Sequence, residues 1–214
     1  MTTDRRVTFF HAPHTRSHGV RILMEELQAD HELQVLDMKT GQQRQAAYLA
    51  INPMGKVPAI RHGDTVVTEQ AAVYMYLAEL YPERGLSPAV GDALRGPYLR
   101  WMVYYGSCFE PAMVDRAMKR EPAPPSTSPY GDAATVVRQV HAQLEAGPWW
   151  LGERFSAADV LWASALGWMT QFKLVPETPA LMAYLARFQA RPAVQRAKEL
   201  DEALVAQLET QRAG

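Results

Sequence analysis

The groups best placed to do chemistry lie in Met54-Gly55-Lys56-Val57-Pro58-Ala59-Ile60 and, after a hairpin, in Thr68-Glu69-Gln70. A Val-Pro pair inside an apolar run is unusual, because proline has no N–H and is confined to the edges, starts and bulges of a sheet. If the Val57-Pro58 bond is cis, the chain turns sharply there and exposes the N–H and C=O of Val57. Those two groups can pair with an extended peptide as a neighbouring strand would. At Glu69 the alternating segment Thr65-Val66-Val67-Thr68 gives way to a helical pattern, and a helix N-terminus binds carboxylates well. A strand edge beside a helix start suggests a site for a small peptide carrying carboxylates. The alternative is a proline bulge followed by an ordinary hairpin.

The elements that must position these groups follow from composition and periodicity. The chain has 214 residues, 48% of them apolar, and a net charge of −1. That is a folded, soluble composition with no general attraction to nucleic acid or membrane. Cys108 is the single cysteine. No intrachain disulfide can form, which fits a reducing cytoplasm. Met1 to Arg6 shows no apolar core of a signal peptide, and no apolar run approaches ~18 residues, so neither export nor a membrane span is expected. The histidines show no ligand spacing, and no metal is expected.

Val7-Thr8-Phe9-Phe10 reads as a strand, followed by the loop His11 to Gly19. Val20, Leu23, Met24 and Leu27 mark one face of a helix. Leu33 to Leu36 is a second strand, and residues 39 to 50 a loop with a short helix. Val57 to Ile60 and Asp64 to Thr68 are strands joined through Arg61-His62-Gly63. Val73, Tyr76, Leu77 and Leu80 mark a helix that Pro82 stops. The order β-α-β, connector, β-β-α predicts a mixed four-stranded sheet with helices packed on it. Residues 82 to 90 form a Pro/Gly linker. Only helical signals follow. Leu94 to Tyr105, Val136 to Leu144, Val160 to Phe172, Leu181 to Phe188 and Val194 to Leu208 are predicted helices. Ser156 and Asp159 form a capping box, with Phe155 and Val160 placed as its hydrophobic staple. The helix it starts is apolar nearly all round and should be buried.

Residues 7 to 80, through Asn52-Pro53-Met54-Gly55-Lys56-Val57-Pro58-Ala59-Ile60 and the Glu69-Gln70 pair, resemble the thioredoxin-like N-terminal domain of cytosolic glutathione transferases. The capping box ahead of a buried helix is similar to a recurrent feature of that family's C-terminal domain. The resemblance covers about residues 7 to 205. It implies an α+β thioredoxin-like domain over 1–81, a linker over 82–90, and an all-α helical-bundle domain over 91–214. It also implies a homodimer. Gln70 departs from the Glu-Ser pair usual in the family; its amide can still donate to a carboxylate.

The implied activity is transfer of glutathione, as co-substrate, to a small electrophile in a detoxification reaction. The alternatives are a glutathione-dependent reductase, peroxidase, dehalogenase or isomerase on the same fold, or a non-catalytic binding module. A thiol of pKa about 8.5 is only a few per cent thiolate at neutral pH. Lowering it by two units takes about 2.7 kcal/mol. In the family the helping donor lies between the first strand and the first helix. That loop has no Tyr and no Cys, so the resemblance leaves the hydroxyls of Thr15 and Ser17 as catalytic candidates, Thr15 ahead of Ser17. Either could equally be an N-cap. Arg16 sits between them and could offset the thiolate; His14 and His18 flank them. For the peptide, the resemblance assigns Val57 and Pro58 to the cysteinyl backbone and Glu69 and Gln70 to the γ-glutamyl end. It assigns Lys56 to the glycyl carboxylate, with Gln42 and Arg44 as weaker candidates. Tyr104, Tyr105, Cys108 and Phe109 would line the electrophile pocket, with Trp168 and Phe172 closing it, although helix core is the expected place of Trp101 and Trp168.

Overall fold

A computed structural model of the chain describes residues 4–213. Met1 to Thr3 and Gly214, which the expected domain ranges included, lie outside the described residues. The elements run β1 (Val7–His11), α1 (Ser17–Leu27), β2 (His31–Val35), α2 (Ala46–Leu49), β3 (Ala59–His62), β4 (Thr65–Val67) and α3 (Gln70–Leu80). Then come α4 (Arg95–Tyr104), a π-helical turn (Tyr105–Phe109), α5 (Glu110–Ala117), α6 (Ala133–Glu145), α7 (Ala157–Gln171), α8 (Pro179–Gln189) and α9 (Pro192–Ala213).

The chain divides into two compact units, one reaching to Arg84 and resuming at Arg191, the other spanning Gly85–Ala190. The first holds the expected mixed sheet, in the order β2-β1-β3-β4. β1 pairs parallel with β2 across the α1 crossover and antiparallel with β3, which pairs antiparallel with β4. Because β1 is internal, Val7, Phe9 and Phe10 are all buried, and so is the α1 face Val20, Leu23, Met24 and Leu27. The third strand starts at Ala59, two residues later than the sequence suggests. Pro58 has no N–H for the ladder, and the Val57-Pro58 bond ahead of it is cis.

The last helix departs from expectation. It belongs with the sheet unit and packs on α1. Its polar residues explain why: Asp201 meets Arg21, His11 and His18, Arg191 makes a two-pronged pair with Glu26, and Arg212 makes another with Asp37. Asp201, Arg21 and His11 are all buried, and buried charges are stable only when each finds its counterpart, which ties α9 to α1 and β1; the Arg191 and Arg212 side chains lie nearer the surface.

The second unit is all-helical. Trp150 and Trp162 stack with ring centroids 4.3 Å apart, and Trp101 stands edge-on to both. The capping box forms at the start of α7. The Asp159 carboxylate accepts the Ser156 N–H at 2.8 Å and the Trp150 N–H at 2.6 Å. The Tyr184 hydroxyl donates to it at 3.3 Å. Burial raises the Asp159 carboxyl to about 6 despite these donors. α7 is buried over its first three turns, but Trp168 is 46% and Phe172 59% exposed, so the fully buried helix and the core place of Trp168 are not what is found. The two rings instead pack on each other, 5.4 Å apart. No helix among the described residues is long and apolar enough to cross a membrane.

Candidate active site

The candidate site is built first by a hydrogen-bonded loop ahead of β3. The Tyr48 hydroxyl and the Asn52 amide both donate to the Lys56 C=O, at 2.6 and 2.8 Å. Burial pushes the Tyr48 phenol up to about 12, so it remains a donor. Arg44 Nη1 donates to the Met54 C=O at 3.1 Å. Gly55 has φ +61°, and a Cβ there would stand 2.7 Å from the Gln43 C=O. Glycine is therefore required at this turn. Gln42 Oε1 accepts the Asp37 N–H at 2.8 Å. Gln42 and Arg44 thus hold backbone. Val57 is buried among Phe10, Ala12, Tyr48 and Ala59, Pro58 is buried beside it, and the Lys56 side chain is exposed.

The second component is the start of α3. Glu69, its N-cap residue, is exposed and has φ 66°, ψ 121°. A non-glycine residue at positive φ is strained, and such strain concentrates at ligand sites. Gln70 Nε2 donates to the Arg16 C=O at 3.4 Å, linking this helix start to the loop after β1. Arg16 itself is exposed.

That loop holds both hydroxyl candidates, and the structure separates them. Ser17 is the first residue of α1 and is 0% exposed. Thr15 is partly exposed and lines a cleft of about 370 Å³ together with Ala12, Pro13, His14, Leu36 and Met38. Asp37, Lys39 and, from α9, Val205, Leu208, Glu209 and Arg212 complete the wall. Arg212 holds the Asp37 carboxyl below the usual carboxylate range. Thr15 Oγ1 accepts the Ser17 N–H at 3.2 Å, taking the first amide of α1 as a cap would. The two hydroxyls are 2.8 Å apart.

Behind Ser17 lies a chain of buried polar groups. Ser17 Oγ is 2.8 Å from His11 Nδ1, and His11 Nε2 is 3.0 Å from Asp201 Oδ1. Arg21 Nη1 donates to the same oxygen at 3.0 Å, and His18 Nδ1 lies 2.7 Å from Oδ2. His11 is 0% exposed, and burial lowers its pKa against the pull of Asp201. Burial pushes Asp201 upward, but its bonds to His11 and His18 prevail and its carboxyl lies far below the usual range. His11, Asp201 and the α9 wall were not read from the sequence. His11 and Asp201 are 190 positions apart, and no local pattern marks either.

In the helical unit, Tyr105 and Phe109 are 2% and 0% exposed and pack on Trp162. They belong to the core there, as does Trp101. Tyr104 and Cys108 are the partly exposed members of the expected pocket lining. Among the described residues, no group of three His, Cys, Asp or Glu side chains is placed to hold a metal ion.

The glutathione S-transferase N-terminal domain profile matches residues 15–80, and the glutathione S-transferase C-terminal domain profile matches residues 130–192. A disulfide-bond oxidoreductase of Escherichia coli, YfcG, is 27% identical over 205 residues, covering 89% of this chain and 94% of its own. The crystal structure of a glutathione transferase homologue from Sulfitobacter with bound glutathione superimposes with a TM-score of 0.72 at 28% identity, over 92% of this chain and 98% of that one. A glutathione transferase from Methylococcus capsulatus gives a TM-score of 0.76 at 32% identity, over 92% of this chain and 99% of its own. Two domain profiles in the right order and a relative this similar along almost its whole length lead to one conclusion: the chain belongs to the glutathione S-transferase family.

Proposed function

We propose that the protein binds glutathione in its sheet unit and transfers it to a small electrophile, with the Thr15 hydroxyl donating to the sulfur. The observation that carries this reading is the contrast between the two hydroxyls. Thr15 is partly exposed at the edge of a cleft whose lining includes none of Lys56, Val57, Pro58, Glu69 and Gln70, whereas Ser17 is fully buried. The family and the glutathione found in the Sulfitobacter homologue supply the ligand. In this reading the Val57 backbone pairs with the cysteinyl residue and Pro58 shapes that edge. Glu69 accepts the γ-glutamyl ammonium, Gln70 donates to its carboxylate, and Lys56 meets the glycyl carboxylate. Arg16, exposed beside Thr15, offsets thiolate charge. Tyr104 and Cys108 remain candidates for electrophile contact. The homodimer and the cytoplasmic setting implied by the resemblance belong to the same proposal.

The test is a Thr15→Ala variant with a chromogenic aryl halide as electrophile. Removing one donor from a developing anion costs about a hundredfold in kcat, while glutathione should still raise the melting temperature. Full turnover in Thr15→Ala would remove the hydroxyl from the mechanism. A second reading follows from the YfcG relative: reduction of small disulfides by glutathione. Turnover of a mixed disulfide without turnover of any electrophile would favour it.

A further inference from the structure

The proton bookkeeping of the buried chain has a direction. An ionised carboxylate only accepts hydrogen bonds. His11 Nε2 must therefore carry the hydrogen that faces Asp201 Oδ1, which leaves Nδ1 of the neutral ring bare. Ser17 donates its one hydroxyl hydrogen to that bare nitrogen at 2.8 Å, and its oxygen is then left to accept. It accepts the Ala12 N–H at 3.1 Å and lies 2.8 Å from Thr15 Oγ1, whose hydrogen at rest goes to the Ala12 C=O at 2.7 Å; the same carbonyl is 3.0 Å from Ser17 Oγ. Rotation of the Thr15 hydroxyl from the Ala12 C=O to Ser17 Oγ completes an inward chain from the cleft through Thr15, Ser17 and His11 to Asp201.

We propose that this chain is a proton wire and that His11 is the base that receives the glutathione thiol proton. The proposal rests on the glutathione reading above. The S–H bond breaks and its proton passes to Thr15 Oγ1. The Thr15 hydroxyl proton passes to Ser17 Oγ, and the Ser17 hydroxyl proton to His11 Nδ1. The products are a thiolate and an imidazolium; both hydroxyls are re-formed, and nothing is oxidised or reduced. Thr15 then donates its new hydrogen to the sulfur. When the product forms, the same wire run backwards returns the proton to the cleft.

The charges around His11 suit this role. Arg21 and His18 on α1 and Asp201 on α9 are the titratable groups that act on it, and Phe9 supplies an apolar face 5.2 Å away. Arg21 already balances Asp201, so a solitary extra proton on His11 is disfavoured and the ring waits neutral. A proton that arrives while a thiolate forms adds no net charge, as in a cysteine–histidine ion pair. Asp201 is a positioning residue: it fixes the tautomer and stabilises the imidazolium, as the aspartate of a serine-hydrolase triad does.

The experiment is calorimetric titration of the whole protein with glutathione in buffers of different ionisation enthalpy at neutral pH, with thiolate formation read by ultraviolet difference absorbance. S-methylglutathione, which has no thiol, gives the baseline. If His11 keeps the proton, thiolate forms while almost none is released to the buffer. In Ser17→Ala, which removes the hydroxyl between Thr15 and His11 Nδ1 and leaves Asp201 in place, the release rises to about one proton per thiolate formed; thiolate formed there without release overturns the wire. The wild-type count decides the matter even if the variant folds poorly. Release of about one proton per thiolate by the wild type overturns the wire and leaves the transferase reading intact. Glutathione bound only as the thiol removes the activation. No binding of either peptide removes the glutathione site itself, and the wire with it.

Discussion

Two buried aspartates, one in each unit, are shifted in opposite directions. Asp159 at the head of α7 is pushed up to about 6, while Asp201 in α9 is held far below the usual carboxylate range. Both lose water and both accept several hydrogen bonds. What differs is the charge of the donors. Asp159 meets two backbone amides, the Ser156 hydroxyl and the Tyr184 hydroxyl, all neutral. Asp201 meets the Arg21 guanidinium and two imidazoles. Neutral donors satisfy a carboxylate's lone pairs without balancing its charge; the Arg21 guanidinium does both. The helical unit therefore uses its aspartate as a structural cap, whereas the sheet unit keeps a permanent anion beside the candidate site.

This contrast can be broken most forcefully at Asp201. Asp201→Ala leaves Arg21 buried without its counter-ion and should cost about 3–5 kcal/mol in urea denaturation. Asp159→Ala removes only neutral pairings and should cost about 1–3 kcal/mol. Equal losses would show that donor charge is not the distinction.

The pH dependence of stability sharpens the same point, because the two contributions have opposite signs. The Asp159 pKa is raised from 3.8 to about 6 in the fold. Its contribution is therefore greatest at low pH and falls as the pH rises through that window, by about 3 kcal/mol. The deficit of Asp159→Asn relative to wild type should accordingly grow on acidification from pH 6 toward 3.8. Asp201 and His11 are both shifted downward, so their contributions are complete above 3.8 and 6.5 and are lost as the pH falls through the lowered folded values. The deficit of Asp201→Asn should shrink below pH 3.8. Deficits that change in the same direction would contradict the assignment. The smallest effect belongs to His18, whose side chain is 34% exposed. His18→Gln retains a donor toward Asp201 and should change stability by less than about 1 kcal/mol.

What was legible in the sequence was local. The cis-proline stretch, the hairpin through Gly63, the helix opening beside Glu69 and the Ser156–Asp159 box are each written in a few consecutive residues, because turn chemistry and capping act over one helical turn or less. The choice between Thr15 and Ser17 was not local: both suit the start of a helix, and only packing shows that Ser17 is sealed. Nor could periodicity reveal that α9 completes the sheet unit, since its apolar face would fit either layer. The surface position of Trp168 and Phe172 was not local either, since exposure at the end of α7 depends on what packs beside it. His11 looked like one more loop histidine because its partner lies at the far end of the chain.

That distance carries a consequence for biosynthesis. His11 and Arg21 leave the ribosome long before Asp201, which lies 190 positions beyond His11. Until α9 is made, the Arg21 guanidinium has not met the carboxylate that balances it in the fold. The buried polar chain closes only once α9 has been made. The candidate site is thereby completed only when α9 is present: a product that stops short of Asp201 carries Thr15 and Ser17 but lacks the carboxylate behind them.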